Sequence, residues 1–375
     1  MFANIYSKSA LQSSAVVHKL SQAIIVERLL PILDAAATES TPLNMFEYSS
    51  AIYSDFITAF VFGLQNGSNY IRDNTARKHW MTSKKISNDA LGAGFWASQF
   101  PVVASFFTKL GIKFESPHIV TAVIESQDRC LDMVDRAESS EDSPSSISQA
   151  GDKDKNATKW TEPVVYKQLV SQLRSSAEKA AIEPLSDSQL RLTVASELMD
   201  HLVAGTDTSG WTLVYTMHEL SQRPYLQSSL HSELLTLSPP MRYPSVAKAS
   251  ADRDGSSPIE DLLPSPQSID NLPLLDAIIF ESLRLHTPVP GQQPRVTSES
   301  TTSLLGYNLP KGIRVSAQAF SLHRNAQVFP DPEAWKPQRW LDASEEKRSE
   351  MMRWFWAFGS GGHMCIGNNL AFLGE

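Results

Sequence analysis

Along residues 11–138 apolar side chains recur every three or four positions, the spacing of an amphipathic helix. In "SSAVVHKLSQAIIVERLLPILDAAA", Val17, Leu20, Ile24 and Leu29 share one face between charged neighbours. "MFEYSSAIYSDFITAFVFGL" predicts a second helix ending before the turn signal Asn66-Gly67, and "SPHIVTAVIESQDRCLDMVDRAE" a third with Ile119, Val123, Ile124, Cys130 and Met133 inside. Cys130 reads there as a core residue, since a free thiol behaves as a small hydrophobe. The longest signal opens at Ser186 and Gln189, a capping box. It continues through Leu190, Val194, Leu198, Leu202, Leu213, Met217 and Leu220 and closes at Pro224. At 1.5 Å per residue such a helix is roughly 50 Å long.

Inside that helix the pattern breaks at "AGTDTSGW", residues 204–211. Two glycines there cost about 1 kcal/mol each against alanine, and hydroxyls that bond back to a carbonyl one turn earlier bend a helix. Two readings stand: a tight helix crossing that needs small residues, or a polar segment in which Asp207 and Thr208 hold water or a proton.

"LPLLDAIIFESLRLHTPVPG" predicts a short helix stopped by Pro288, with Glu281 and Arg284 three apart on one face. Because that face is otherwise apolar, the pair is expected to be buried, and a buried pair needs further partners, such as another arginine. Short runs separated by Gly and Pro from 294 to 324 predict small hairpins rather than a main sheet. Residues 139–159 and 238–258 are polar and poor in large apolar side chains, which predicts mobile surface loops within a single domain over 1–375.

Composition narrows the class. The 375 residues are 42% apolar and 20% charged, an ordinary globular balance. A net charge of −8 argues against a nucleic-acid partner, which calls for a basic face. No apolar run reaches the length of a membrane span, the best being interrupted by Asp55, and no secretory signal is visible. Two cysteines exclude a disulfide scaffold. The apolar stretch "FWASQFPVVASFFTKLGI" reads as core, with a hydrophobic pocket or a membrane-facing entrance as the other reading.

The chemistry concentrates at "FGSGGHMCIG", residues 358–367. Glycines there permit left-handed backbone and the approach of a flat ligand. Free N–H groups bonded to a thiolate tune its donation to a metal, and a helix opening after Cys365 would further favour the thiolate. Zinc needs more ligands than the neighbourhood offers. A cysteine nucleophile needs a base such as His286, His323 or His363, without a protease signature to support it. A buried structural cysteine leaves the glycines unexplained. One axial thiolate to haem iron fits, because haem brings its own equatorial ligands.

Phe358, Gly361, His363, Cys365 and Gly367 resemble the haem-binding loop of cytochrome P450 monooxygenases, where the position of His363 is commonly Arg. "AGTDTS", Ala204 to Ser209, looks like the family's oxygen-activation segment. Glu281 and Arg284 match its Glu-x-x-Arg pair, and Arg339 matches the arginine that completes the network, with Gln338 standing where Glu is usual. Arg295 matches an arginine that often meets a haem propionate. The resemblance covers residues 186–375 by motif and 1–138 by helical character. It implies a mainly α, cytochrome P450-like fold with a long central helix and small β-sheets, and haem b between that helix and the Cys loop. Cys365 would be the axial ligand, with Phe358, Gly361, His363, Gly367, Arg295, Ala204 and Gly205 also contacting the cofactor. Asp207 and Thr208 would deliver protons, and Glu281, Arg284 and Arg339 would be structural. It further implies NADPH-derived electrons from a cytochrome P450 reductase, O2 and a small organic, hydrophobic substrate as partners, and the cytosolic face of the endoplasmic reticulum as the place of the full-length parent. The family's early propionate-gripping helix and its final hairpin are not found, so the chain reads as an internal piece of a longer enzyme. The alternative to a monooxygenase is a non-catalytic haem-binding remnant.

Overall fold

A computed structural model describes residues 4–111, 117–141, 162–180, 185–241, 263–298 and 301–374. It is mainly helical, with four short strands among the described residues. The contacts divide it into two compact units, one built chiefly on Ser13–Thr206 and one on Tyr6–Gln12, Asp207–Val246 and Gly255–Glu375. Of the expected loops, residues 139–141 continue a helix that runs Pro117–Glu141, and 142–159 and 242–258 lie outside the described residues.

In the first unit, Ser14 caps helix Ala15–Ser21 by accepting the Val17 N–H at 3.2 Å. A π-helical stretch, Gln22–Leu29, and helix Leu30–Glu39 continue it. Val17, Leu20 and Ile24 are buried as expected, and Leu29 is half-buried. Helix Met45–Phe62 starts at an Asn44 cap and stops at Gly63, whose φ of 86° suits glycine, three residues before the expected turn. Nearly all of it from Ser49 onward is buried. Its buried carboxylate, Asp55, accepts the Ser68 hydroxyl and the Tyr70 N–H at 2.7 Å, the Ile71 N–H at 3.2 Å and Arg28 at 3.1 Å. A charge that looked like an interruption thus organises the following loop. Burial still holds its pKa above the usual range, against the pull of those bonds.

Two sequence expectations fail in this unit. On helix Pro117–Glu141 the buried stripe is Ala122, Cys130, Met133, Val134 and Ala137, while Val123 and Ile124 are exposed. At 100° per residue Ile124 points well away from that stripe, whereas Val123 falls within its angle and is left uncovered all the same. The second failure is the core reading of "FWASQFPVVASFFTKLGI": in and beside helix Pro101–Lys109, Phe100, Val102, Phe106 and Leu110 are more than half exposed. That helix packs chiefly against the end of helix Asn74–Gln99 and turns its apolar side outward.

The central helix spans Asp187–Ser221. Its capping box forms as expected, with Ser186 N–H donating to Gln189 Oε1 at 3.0 Å. The helix runs unbroken through the glycines, because at Gly205 it crosses helix Met45–Phe62 so closely that a Cβ would sit 2.9 Å from Ile57 Cγ1.

In the second unit, helix Pro273–Leu285 has its first free amides capped from outside. The Glu233 carboxylate accepts Leu274 N–H at 2.8 Å and Leu275 N–H at 2.9 Å. Ala277, Ile279 and Leu283 of this helix pack with Val328, Phe329, Trp340, Met351 and Phe355. Two two-stranded antiparallel sheets nest in sequence: Gln292–Val296 pairs with Arg314–Gln318, and between them Thr301–Leu304 pairs with Tyr307–Pro310. The inner hairpin turns at Leu305 and Gly306, both at positive φ.

Candidate haem-thiolate site

The site begins with a buried ion pair. Glu281 and Arg284 follow each other by three positions on a helix whose other inward residues, Ser282 apart, are apolar, so both are driven inside with no solvent exposure. Two fully buried charges need every bond satisfied. Glu281 accepts five N–H donors: Arg284 Nε and Nη2, Arg339 Nε, the Lys336 amide and Trp340 Nε1, at 2.8–3.0 Å. The rest of the Arg284 fork donates to the carbonyls of His323, Pro332 and Ala334. Arg339 donates onward to the carbonyls of Pro330, Asp331 and Ala334. The structure therefore brings together the three residues expected as a network and adds Trp340, the Lys336 amide and His323. Gln338 stays outside it, exposed and bonded to Asp342.

His323 is buried completely. Its Nδ1 contacts the Arg284 carbonyl oxygen at 2.8 Å, and its Nε2 contacts the Trp356 N–H at 2.7 Å. A carbonyl only accepts and an amide N–H only donates, so Nδ1 carries the proton and the ring is neutral. Burial, ahead of the positive charges of Arg284 and Arg324, holds its pKa down at about 4. A general base at Cys365 is not its role.

From Trp356 the chain enters the cysteine loop. Gly359 N–H donates to the Trp356 carbonyl at 3.1 Å, and Cys365 N–H donates to the Phe358 carbonyl at 2.8 Å. Gly359 and Gly361 have φ of 69° and 71°, backbone that other residues adopt only with strain. The Phe358 ring packs on Phe372 at 5.3 Å, and Phe372 on Phe280 at 5.1 Å. Phe280 in turn meets Trp340 with a tilted ring and Phe355 edge-on. The loop is thus anchored to the Glu281 network by an aromatic chain and a hydrogen-bonded one.

Cys365 is open to solvent. Gly367 N–H bonds to its sulfur and lowers the thiol pKa, but crowding by the surrounding protein outweighs that, and the thiol lies above its usual value. The expected lowering by the helix that follows, Asn368–Gly374, does not prevail against it. Tyr6, buried nearby, has its hydroxyl pKa pushed up by burial and then by the charge of Cys365. No sequence pattern pointed to it. His363 closes a 3-10 turn, Gly361–His363, and is exposed, as is Arg295 on strand Gln292–Val296.

The remaining expected residues sit on the central helix. Ala204 is exposed, Gly205 meets Ile57, and Asp207 and Thr208 are half-buried. The Thr212 hydroxyl, one residue beyond the segment, donates to the Thr208 carbonyl at 3.0 Å.

The donor set suits haem. Among the described residues no cluster of three or more His, Cys, Asp or Glu could hold a bare metal ion. One exposed thiol stands on a loop where a Cβ at Gly361 or Gly362 would meet no atom, with Met364 and Ile366 exposing apolar surface on either side of it. A flat apolar group that lacks only an axial ligand matches that combination.

Comparison with known proteins agrees. A family model described as Cytochrome P450 matches residues 19–373. Cytochrome P450 monooxygenase FGM1 of Gibberella zeae is 31% identical over 57% of this chain and 40% of its own length. Cytochrome P450 monooxygenase ankB of Aspergillus thermomutatus is 30% identical over 56% of this chain and 35% of its own. Cytochrome P450 monooxygenase avaI of Aspergillus versicolor is 25% identical over the whole chain and 77% of its own length. Among solved structures, the haem domain of cytochrome P450DA (TM-score 0.61, 15% identity) and the cytochrome P450 CYP102L1 (TM-score 0.63, 16% identity) share the fold across all of this chain and 67% and 68% of theirs. The segments matched to FGM1 and ankB thus span well under half of those relatives. With the Glu281–Arg284–Arg339 network and the Cys365 loop in place, the chain belongs to the cytochrome P450 family.

Proposed function

We propose that the chain is the haem-binding part of a monooxygenase, a single cytochrome P450-like domain over 1–375. The observation that carries this reading is the lone accessible thiol of Cys365 on its glycine loop, tied through Phe358 and Trp356 to the buried network. Haem b, when bound, supplies the iron at which O2 is activated so that one oxygen atom enters a small, hydrophobic organic substrate, using NADPH-derived electrons from a reductase. Cys365 Sγ is the axial thiolate, and the Gly367 N–H tunes its donation. Arg295 and His363 offer exposed donors for the propionates. Ala204, exposed on the central helix, would leave room for a flat group, whereas Gly205 packs on Ile57 instead, and Asp207 and Thr208 would hold the proton for oxygen activation.

We place the protein at the cytosolic face of the endoplasmic reticulum. No helix among the described residues is long and apolar enough to cross a membrane; the outward apolar side of Pro101–Lys109 is what supports contact with a bilayer surface.

The test is spectroscopic. The chain is expressed with haem supply, reduced and exposed to carbon monoxide. A Soret band shifted far to the red, lost in Cys365→Ser, supports the reading. No haem uptake, or an unshifted band, overturns it in favour of a non-catalytic remnant.

A further inference from the structure

His323 lies outside the cysteine loop and outside the Glu-x-x-Arg pair, yet it joins them. Its imidazole bridges two backbone groups: Nδ1–H donates to the Arg284 carbonyl and Nε2 accepts the Trp356 N–H. Its own carbonyl accepts from Arg284 Nη1 at 2.9 Å, so the residue is gripped at both ends by the same arginine. The ring is fully buried and stacks on Phe355 at 5.4 Å and 13°. Rotation is blocked, and only one tautomer satisfies both partners. Trp356 is where the cysteine loop begins: its carbonyl takes the Gly359 N–H, and one residue before Gly359 the Phe358 carbonyl takes the Cys365 N–H. The position of the Cys365 backbone therefore depends on an amide that a single side chain holds.

We propose that His323 is a positioning residue for the Cys365 thiolate, acting through the Trp356 amide. The proposal rests on the reading of Cys365 as haem ligand. His323 carries the rigidity of the ion-pair network into a loop whose glycines would otherwise let it move.

Two substitutions separate this role from a general structural one. In His323→Gln the side-chain oxygen stands as many bonds from the backbone as Nε2 and can still accept the Trp356 N–H, while the Arg284 carbonyl loses its donor. In His323→Asn the amide NH2 replaces Nδ1–H, and the Trp356 N–H loses its acceptor. Each leaves one buried partner unmet, so a merely structural loss moves both alike. In the full chain supplied with haem, the fraction of haem with the thiolate-shifted band stays near the wild-type value in His323→Gln. It falls about fivefold or more in His323→Asn, the lower end of what an unmade buried hydrogen bond costs. Equal fractions in the two variants, or a wild-type fraction in His323→Asn, overturn the proposal.

A second measurement needs neither haem nor a folded variant. The chain has eight tryptophans, so 15N-tryptophan labelling gives a short list of amides, and Trp356→Phe identifies the one that matters. The Trp356 amide exchanges at least about a hundredfold slower than an unstructured chain; exchange near the unstructured rate overturns the proposal. A protected Trp356 amide in a chain that shows no thiolate band would leave the His323 link standing and remove the haem reading, so the two failures are distinct.

Discussion

Removing the Glu281 carboxylate tests the network most directly. In Glu281→Gln the side chain keeps its shape, but one of its two acceptor atoms becomes a donor facing N–H groups. That atom meets either Arg284 Nη2, the Lys336 amide and Arg339 Nε, or Arg284 Nε and Trp340 Nε1. Arg284, without solvent exposure, then holds a charge that its three carbonyl partners cannot neutralise. Removing one member of a buried pair costs about 3–5 kcal/mol. With a urea slope of about 2–3 kcal/mol per M, the unfolding midpoint falls by about 1–2 M. The assay is urea unfolding followed by tryptophan fluorescence, which Trp335 and Trp340 report from inside the network. A shift below about 0.3 M, under 1 kcal/mol on that slope, would mean that water or rearrangement replaces the carboxylate, and the account of a closed network would be wrong. Arg284→Met and the double variant complete the cycle. The double is expected to lose at least about 2 kcal/mol less than the sum of the singles, because the fully buried Arg284 charge leaves with its partner and only Arg339, which keeps three carbonyl acceptors, is left without a carboxylate.

Three further predictions follow from geometry. Gly205→Ala places a Cβ 2.9 Å from Ile57 Cγ1; overpacking of about 1–3 kcal/mol outweighs the roughly 1 kcal/mol gained in helix propensity, so the variant is less stable than wild type. In an Ile57→Ala background the same change fills space and stabilises, and a urea series showing no sign reversal would refute the crossing. For pH, His323 is held near 4 in the folded chain against 6.5 ordinarily. The unfolded chain thus binds more protons between those values, and stability rises with pH across about 4 to 6.5 and is lost on acidification; His323→Gln should flatten that limb of the urea midpoint. For thiols, a haem-free chain probed with an alkylating reagent at neutral pH should label Cys365, slowly because its pKa is raised, and leave Cys130 untouched, since that thiol is buried, bonded to the Ala195 carbonyl and pushed up to about 11. Haem should then protect Cys365, and labelling unaffected by haem would count against ligation.

What the sequence could reveal followed from how local each signal was. The Ser186–Gln189 box and the leucine spacing read correctly because a helix and its cap are made by near neighbours. Glu281 and Arg284 were legible because charge on an apolar face demands partners, whereas Arg339 could be named only through the family resemblance. His323 and Trp340 were not: their roles arise from contacts 33 to 59 residues away, and neither sits in a spacing that repeats. Gly205 could be seen as small but not as touching Ile57, which lies on another helix. Ile124 failed because it lies off the covered stripe of helix Pro117–Glu141, and Val123 because tertiary packing, which spacing does not show, leaves it uncovered.

The donors around Glu281 also set an order of events during synthesis. Apart from Arg284, all of them come from Lys336 to Trp340, 55 to 59 residues downstream. Until those residues are made, the helix Pro273–Leu285 cannot bury its Glu281–Arg284 pair with every hydrogen bond met, so its apolar side remains uncovered too. Closing so long a loop costs entropy before any bond compensates it. A nascent chain paused before Trp340 is therefore exposed to holding chaperones and proteases through the same helix that later buries every residue from Glu281 to Leu285.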